Sequence, residues 1–321
     1  GGGHPERPER LSAVSRGIQE AGVAEALVPL VPRPATREEL EAVHQAAYLD
    51  RLEAFCASGG GHLDADTGVS PSSWSAAVLA AGAGPSTIEH LDAGEADAAF
   101  LAVRPPGHHA KAGRAMGFCL LNNVAVAVAA LAGRGERVAV VDYDAHHGNG
   151  TQEVFYEDGR VLYVSLHQWP FYPGTGRFEQ EGDGDGAGAT LNLPLPAGTT
   201  GDVYREALDE VVIPAVETFG PSWLVLSAGF DAHRADPLTG LNLTSGDFAD
   251  LTERLVALVP AGRRLAFLEG GYDLQALSTS AGACVAALAG SRWAPEAASS
   301  GGPPAPVVSQ AARRLLERQA S

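Results

Sequence analysis

An α/β fold built on a parallel sheet is what this sequence predicts, and three observations predict it. Short β-rich apolar runs recur along the chain, stretches of helical length separate them, and polar clusters follow the runs at one end. The runs are Ala98–Val103, Val138–Asp142, Val161–Leu166, Trp223–Ser227 and Leu265–Leu268. Near-continuous apolar runs of that length suit strands buried on both faces. Helical patterns lie between them at Leu121–Ala132, Val203–Thr218 and Ser245–Val259, the last opened by a Thr244/Ser245 cap. A further one, Asp273–Leu288, follows the final strand. Alternation of this kind implies right-handed crossovers between neighbouring strands.

The flanks read differently. Glu38–His44, Tyr48–Ala57 and Ser73–Ala81 are helical, with loops between them and no obvious opening strand. Residues 1–290 are expected to form the working domain, and 291–321 a flexible Pro/Ala/Ser-rich tail ending in a short basic helix, Ala311–Gln319. No internal repeat is visible.

Composition narrows the classes. The chain has 321 residues, 45% of them hydrophobic, enough for a sizeable core, and its 19% charged residues are too few for a disordered chain. A net charge of -17 argues against nucleic-acid binding, which needs Lys/Arg patches, and would suit a cationic substrate. Cys56, Cys119 and Cys284 form no CxxC pattern, so neither a disulfide framework nor a thiolate zinc site is expected. A reducing, cytoplasmic setting follows. No apolar run is long enough to span a bilayer, and Gly1–Glu6 carries no signal-peptide pattern. The chain opens on Gly1 rather than Met, which leaves targeting weakly constrained.

The informative fact is where the polar residues fall. Ala98–Val103 runs into Arg104-Pro105-Pro106-Gly107-His108-His109, and Val138–Val141 into Asp142-Tyr143-Asp144-Ala145-His146-His147-Gly148-Asn149-Gly150. Trp223–Ser227 leads to Gly229-Phe230-Asp231-Ala232-His233, and Leu265–Leu268 to Glu269-Gly270-Gly271-Tyr272. Open α/β sheets bind ligands at the carboxyl edge of their strands, and packing does not explain such clusters converging there.

In extended backbone Asp144 and His146 point to one side, with Asp142 on that side two residues earlier. Asp231 from another strand end would complete three protein donors and leave a fourth position for water, the arrangement of catalytic zinc. Alone, the segment reads equally well as a helix cap beside a core histidine; the neighbouring clusters favour the metal. His108 and His109, adjacent on a Pro-rigidified loop, suggest acid–base work, with Asp142 and Asn149 available to set their tautomers. Gly270-Gly271 lets the backbone approach closely, so Tyr272 could donate to a developing oxyanion.

These residues resemble the histone deacetylase superfamily, which includes acetylpolyamine amidohydrolases. The matching motifs are Arg104–Ala110, Gly117-Phe118-Cys119, Asp142–Gly150, Ser165-Leu166-His167, Pro173–Gly176, Gly229–Asp231 and Glu269–Tyr272, in order and spacing from His4 to Leu288. Their details look most like the class II branch and its bacterial relatives. The resemblance implies the arginase/deacetylase fold, an eight-stranded parallel sheet with helices on both faces. It implies one zinc per chain on Asp144, His146 and Asp231, with Asp142 as partner of His108. Asn149 stands where class I members carry Asp and class II members commonly carry Asn, a change that shifts the basicity of His109.

The resemblance also implies that Phe118 and Tyr172 line an acyl-lysine tunnel and that Gly117 accepts the substrate amide N–H. It implies structural potassium at Asp142, Asp144, His146, Ser165 and Leu166, and a second potassium on backbone around Phe155, Asp158 and Val161. Tyr272 is present where a weakly active vertebrate branch carries His, which favours true catalysis. Leu238 occupies the place of an acidic gatekeeper in polyamine deacetylases of the class II branch, and leucine there favours acyl-lysine. Relatives carry a strand ahead of the His4 segment, so the loop near the tunnel mouth is expected to be incomplete.

The expected activity is zinc-dependent hydrolysis of an acyl-lysine protein or peptide, or alternatively of an acylated amine small molecule such as an acetylpolyamine. Neither nucleic acid nor membrane is expected as partner, and the sequence sets no oligomeric state. An acyl-lysine-binding module would lack turnover, and a guanidino hydrolase would need a carboxylate-richer two-metal site. His233 reads as a loop residue, Cys119 as a small buried one, and His4, His44, His62, His90 and His167 as non-catalytic.

Overall fold

A run such as Val138–Asp142 can satisfy its buried backbone only by pairing with other strands. The computed structural model, which describes residues 3–320, shows that pairing. The chain opens with α1 (Glu9–Glu20), α2 (Arg37–Glu41) and α3 (Ala46–Ala57). A small antiparallel pair follows, β1 (Gly61–His62) and β2 (Gly68–Val69), and then the long α4 (Ser73–Asp92). The alternating body runs β3 (Ala99–Leu101), α5 (Asn123–Gly133), β4 (Val138–Asp142), α6 (Asn149–Phe155), β5 (Val161–Gln168) and β6 (Thr190–Leu195). It continues with α7 (Gly201–Ala207), α8 (Ile213–Phe219), β7 (Trp223–Ala228), α9 (Ser245–Val256), β8 (Arg264–Leu268) and α10 (Leu274–Leu288), and α11 (Pro306–Ala320) is last.

Among the described residues the main sheet has six parallel strands in the order β3-β8-β7-β4-β5-β6. The α/β class and parallel sheet agree with the sequence reading; the strand number is lower than the eight implied by resemblance. Ahead of β3 the only described strands are the separate β1–β2 pair: residues 27–36 pair with no strand and leave Val28 and Val31 exposed, so the main sheet stops at β3. From β4 the chain moves outward through β5 and β6, then returns to place β7 on the other side of β4. The order therefore reverses between β4 and β7, which opens a crevice beyond their carboxyl ends. Asp142, the last residue of β4, lies level with Ser165 and Ser227, so β4 and β7 end at nearly one height while β5 runs on to Gln168.

Both faces are covered. Along β4 the side chains alternate: Ala139 and Val141 join one apolar cluster, Val138 and Val140 the other. Each such valine contributes about 1.5–3 kcal/mol by leaving water. The Val203–Thr218 pattern is interrupted, because the ring of Pro214 cannot donate a backbone hydrogen bond; a π-turn at Leu208–Val212 separates α7 from α8. Strand β6 was hidden in the sequence by Asn192 and Pro194, and proline is tolerated there because β6 is an edge strand.

The segment from 291 onward, expected to be a flexible tail, is instead tied down. Helix α11 begins at Pro306 rather than Ala311 and buries Val308 and Ala311 in the main core. Before it, Glu296 and Ser299 hydrogen-bond to the domain. A Pro/Ala/Ser-rich composition concealed the apolar 307/308/311/315 spacing that docks the helix. Among the described residues no helix is long and apolar enough to cross a membrane, and the three cysteines are buried and free.

Candidate active site

The reversal of strand order places four strand ends around one crevice. β4 delivers Asp144 and His146, β7 delivers Asp231, β8 leads to Tyr272, and β3 leads to His108 and His109. His146 Nδ1 lies 3.1 Å from Asp144 Oδ1 and 2.9 Å from Asp231 Oδ2. Backbone fixes both carboxylates: Gly270 N–H donates to Asp144 Oδ2 (2.8 Å) and Ala145 N–H to Asp231 Oδ1 (2.8 Å). Position 270 must be glycine, because a Cβ there would sit 2.3 Å from Asp231 Oδ2 and 2.6 Å from Asp144 Oδ2.

Among the described residues these three form the one His/Cys/Asp/Glu group with donor atoms in reach of a single ion, all within 4.8 Å of one another. Burial and the Asp144 charge push Asp231 up to about 7. Burial opposes a charge on His146, but Asp231 and Asp144 outweigh it and hold it up to about 10. Burial would raise Asp144 too, yet His108 and His146 bring it below the usual carboxylate range. Two buried carboxylates and an imidazole with donor atoms this close together can also be satisfied by a single divalent cation among them. This donor set fits zinc, and also Fe(II).

The paired histidines differ in their partners. His108 Nδ1 lies 3.1 Å from Asp142 Oδ2, which also accepts from the Tyr163 hydroxyl (3.1 Å). His109 Nδ1 lies 2.8 Å from Asn149 Oδ1, an acceptor, so Nδ1 carries the proton and Nε2 keeps a lone pair. Burial opposes charge on His108, but Asp142, Asp144 and Glu269 hold its pKa well above the ordinary value. His109 is driven well below by burial and by the charges of His108 and His146. Two rings with centroids 4.0 Å apart are thus pushed in opposite directions by their surroundings.

Aromatic rings shape the approach. Tyr172, 39% exposed, stands edge-on to His109 at 5.3 Å, and Phe118 edge-on to Tyr272 at 5.7 Å. Gly117 has φ 56°, and a Cβ there would come within 2.5 Å of the His109 ring. Phe118 also has a positive φ, 68°, a conformation costing about 1 kcal/mol or more for a residue with a Cβ. Reciprocal bonds between Met116 and Cys119 (3.1 and 3.0 Å) and a bond from Phe118 N–H to Thr67 Oγ1 (3.2 Å) hold that turn. Burial keeps the Tyr272 phenol protonated, its pKa well above the usual phenol range.

Leu238 is half-buried, its N–H held by Asp236 Oδ1 (2.9 Å). Strand pairing sets Asp142 beside Ser165, with Leu166 next along β5. Phe155, Asp158 and Val161 share a separate turn in which Asp158 N–H donates to Phe155 O and Val161 N–H to Asp158 O, both 3.1 Å. Cys119 is buried with its thiol 3.3 Å from Gly117 O.

Several neighbours carried no role in the sequence reading. Arg10 is wholly buried, donates to Gly271 O (2.7 Å) and lies 5.0 Å from the Tyr272 ring centroid. The Glu269 carboxylate accepts from Gly107 N–H (2.7 Å) and His108 N–H (3.1 Å), so it sets the histidine loop. Asp236 accepts from Tyr272 N–H (2.6 Å), and Phe171 stacks on His146 at 5.4 Å. An arginine inside a charged run gives no signal of burial; Glu269 stood in a recognised motif, but its partners are remote in sequence.

Comparison with known proteins gives a consistent result. The histone deacetylase domain matches residues 4–288. A probable deacetylase of Archaeoglobus fulgidus is 43% identical, over 89% of this chain and 82% of its own length. A histone deacetylase-like amidohydrolase of Pseudomonas aeruginosa is 41% identical, over 84% of this chain and 73% of its own length. Histone deacetylase 15 of Arabidopsis thaliana is 41% identical over 89% of this chain, which spans about 53% of that protein. The solved HDA15 HD domain superposes with a TM-score of 0.90 at 37% identity, covering 98% of this chain and 89% of that one. Likeness of this extent, in sequence and in three dimensions, shows that the chain belongs to the histone deacetylase family.

Proposed function

We propose that this protein hydrolyses the amide of an acylated lysine side chain in a zinc-dependent reaction, releasing the acid and the free amine. The observation that carries this reading is the Asp144–His146–Asp231 trio with the His109 ring 5.9 Å from that of His146, and Tyr272 two residues beyond Gly270, whose N–H binds Asp144. Asp144, His146 and Asp231 would hold the zinc, which when bound supplies Lewis acidity and brings the pKa of a water toward about 7.

The chain's own groups do the rest. His109, neutral and with Nε2 free, accepts the proton of the attacking water. Its partner Asn149 is uncharged, which leaves His109 less basic than a carboxylate partner would. Tyr272 donates a hydrogen bond to the developing oxyanion. A histidine returns the proton to the leaving amine as the C–N bond breaks. His108, held charged by Asp142, keeps positive charge beside the reacting carbonyl. Gly117 O accepts the substrate amide N–H, while Phe118 and Tyr172 flank the alkyl stem.

Leu238 supports lysine over polyamine, because an acetylpolyamine carries a second cation that an acidic residue there would pair. A net charge of -17 suits a lysine-rich peptide. Potassium is assigned a structural role at Asp142, Asp144, His146, Ser165 and Leu166, where β4 and β5 run side by side, and at the Phe155–Asp158–Val161 turn. The site is taken to act in the cytoplasm, on soluble acylated amines rather than nucleic acid or membrane.

The test is acetate release by purified protein from an acetyl-lysine peptide and from N-acetylputrescine, with and without a zinc chelator. Chelator-sensitive release from the peptide is expected. Preference for the polyamine would overturn the substrate assignment, and release from neither would overturn the deacetylase reading.

A further inference from the structure

Residues after 288 lie outside the matched domain, yet they reach back to the loop that carries Asp231. That loop, residues 231–244, closes on itself: Leu243 N–H donates to Ala232 O (3.1 Å) and Arg234 N–H to Leu243 O (2.9 Å). Within it Asp236 receives Leu238 N–H and Tyr272 N–H. The loop thus carries one proposed metal donor, the mouth residue Leu238 and the anchor of the oxyanion donor.

Glu296 grips this loop from outside. Its Oε2 accepts from His233 Nε2 (2.8 Å) and Ser245 N–H (3.0 Å). His233 Nδ1 accepts Ala235 N–H (3.1 Å), so Nε2 is the nitrogen that donates to Glu296. The side chains are 5% and 24% exposed, so the contact is largely dry. Arg234 also reaches Glu296 (2.6 Å) but is 56% exposed, and an ion pair so open to solvent contributes little.

The following residues continue the strap. Ala297 O accepts from Thr244 Oγ1 (2.8 Å), and Ser299 Oγ donates to Asp247 Oδ2 (2.6 Å), the carboxylate that caps α9 through Thr244 N–H (2.9 Å). The fit is close: a Cβ at Gly246 would lie 2.4 Å from Glu296 O.

We propose that Glu296 is a positioning residue: by holding His233 and the start of α9 it fixes the 231–244 loop, and with it Asp231 and Tyr272. This rests on the zinc-dependent reading above. Groups bonded directly to metal donors typically change metal affinity or activity by about 10–100-fold when removed; Glu296 acts one contact further back, through His233, which places its effect toward the lower end of that range.

The experiment measures zinc affinity by chelator competition, kcat and KM on an acetyl-lysine peptide, and thermal unfolding. It compares the full chain with its Glu296→Ala, Glu296→Gln, Ser299→Ala and Arg234→Ala variants. Glu296→Ala is expected to weaken zinc binding and lower kcat by about 10-fold or more, with KM little changed. Glu296→Gln, which keeps an acceptor for Ser245 N–H, should recover much of that loss. Ser299→Ala should show a smaller effect in the same direction even if Glu296→Ala does not fold, and Arg234→Ala should match the parent. Parent-like zinc affinity and kcat in Glu296→Ala and Ser299→Ala would overturn the proposal, as would a loss of thermal stability alone. A parent protein that neither binds zinc nor releases acetate would instead overturn the functional reading.

Discussion

At Tyr272 what matters is a proton. Burial keeps it on the phenol, so the group can donate where oxygen gathers negative charge. Tyr272→Phe keeps the ring against Phe118 and Arg10 and removes only the donor. Its kcat should fall roughly 10²–10³-fold, with zinc content unchanged. His109→Ala should cost roughly 10²–10⁴-fold on the same terms, and near-normal turnover in either variant would contradict the assigned role. Asp231→Ala removes a donor and the acceptor of Ala145 N–H, so metal analysis should find the zinc gone; one zinc per chain in that variant would contradict the ligand set. His44 makes a prediction about pH. Its Nε2 accepts Asn122 N–H (3.0 Å) and its Nδ1 donates to Lys111 O (3.0 Å), a pattern only the neutral ring can make. Burial depresses its pKa from 6.5 to about 4. Between those values the unfolded chain binds the proton and the folded one does not, so stability is full above pH 6.5 and falls as pH drops toward 4. The shift corresponds to about 3 kcal/mol, and denaturant melts of His44→Gln should show a shallower acid slope.

Among the elements, the strand ends of β4 and β7 carry the candidate metal donors and α11 guards the far edge of the sheet. Edge strand β6 would otherwise present unpaired backbone and the apolar surface around Leu191 and Leu193. Helix α11 covers it with Val308 and Ala311, while Arg314 lies over the Phe178 ring at 3.9 Å and Arg314 and Arg318 both pair with Glu181. Val308→Asp should bury an unpaired carboxylate and lower the unfolding free energy by about 2 kcal/mol or more, read by urea melts. Its metal content should be unchanged, because among the described residues α11 packs on β6 and the Leu208–Val212 turn rather than on the strand ends that carry the proposed ligands; an unaltered melt would show that the helix does not hold the edge. This element also marks where sequence reading stops. Apolar runs disclosed β4, β5, β7 and β8 because their neighbours demand buried side chains on both faces. Thr190–Leu195 and the tail concealed theirs, since Pro194 and a Pro/Ala/Ser composition look the same in a loop as beside an edge strand.

At the scale of the molecule, a net charge of -17 should draw cationic peptides toward the crevice. KM for a lysine-rich acetylated peptide should rise with ionic strength between low and physiological salt, while KM for a neutral peptide holds steady. Equal salt dependence for both would show that the charge serves only solubility. The candidate site was largely legible, because Asp144, His146 and Asp231 follow directly on the ends of apolar strands where packing alone asks for none. Arg10, Glu269, Asp236 and Glu296 were not, since what they do depends on partners far off in the chain, 261 positions away for Arg10 and Gly271. The strand reversal at β4 and β7 brings such distant residues together. Zinc dependence is tested most directly by turnover of an acetyl-lysine peptide by chelator-stripped protein as zinc is added back. Activity should rise with added zinc and saturate at one equivalent per chain. Full turnover by protein shown to be metal-free, or none at any zinc level, would contradict it.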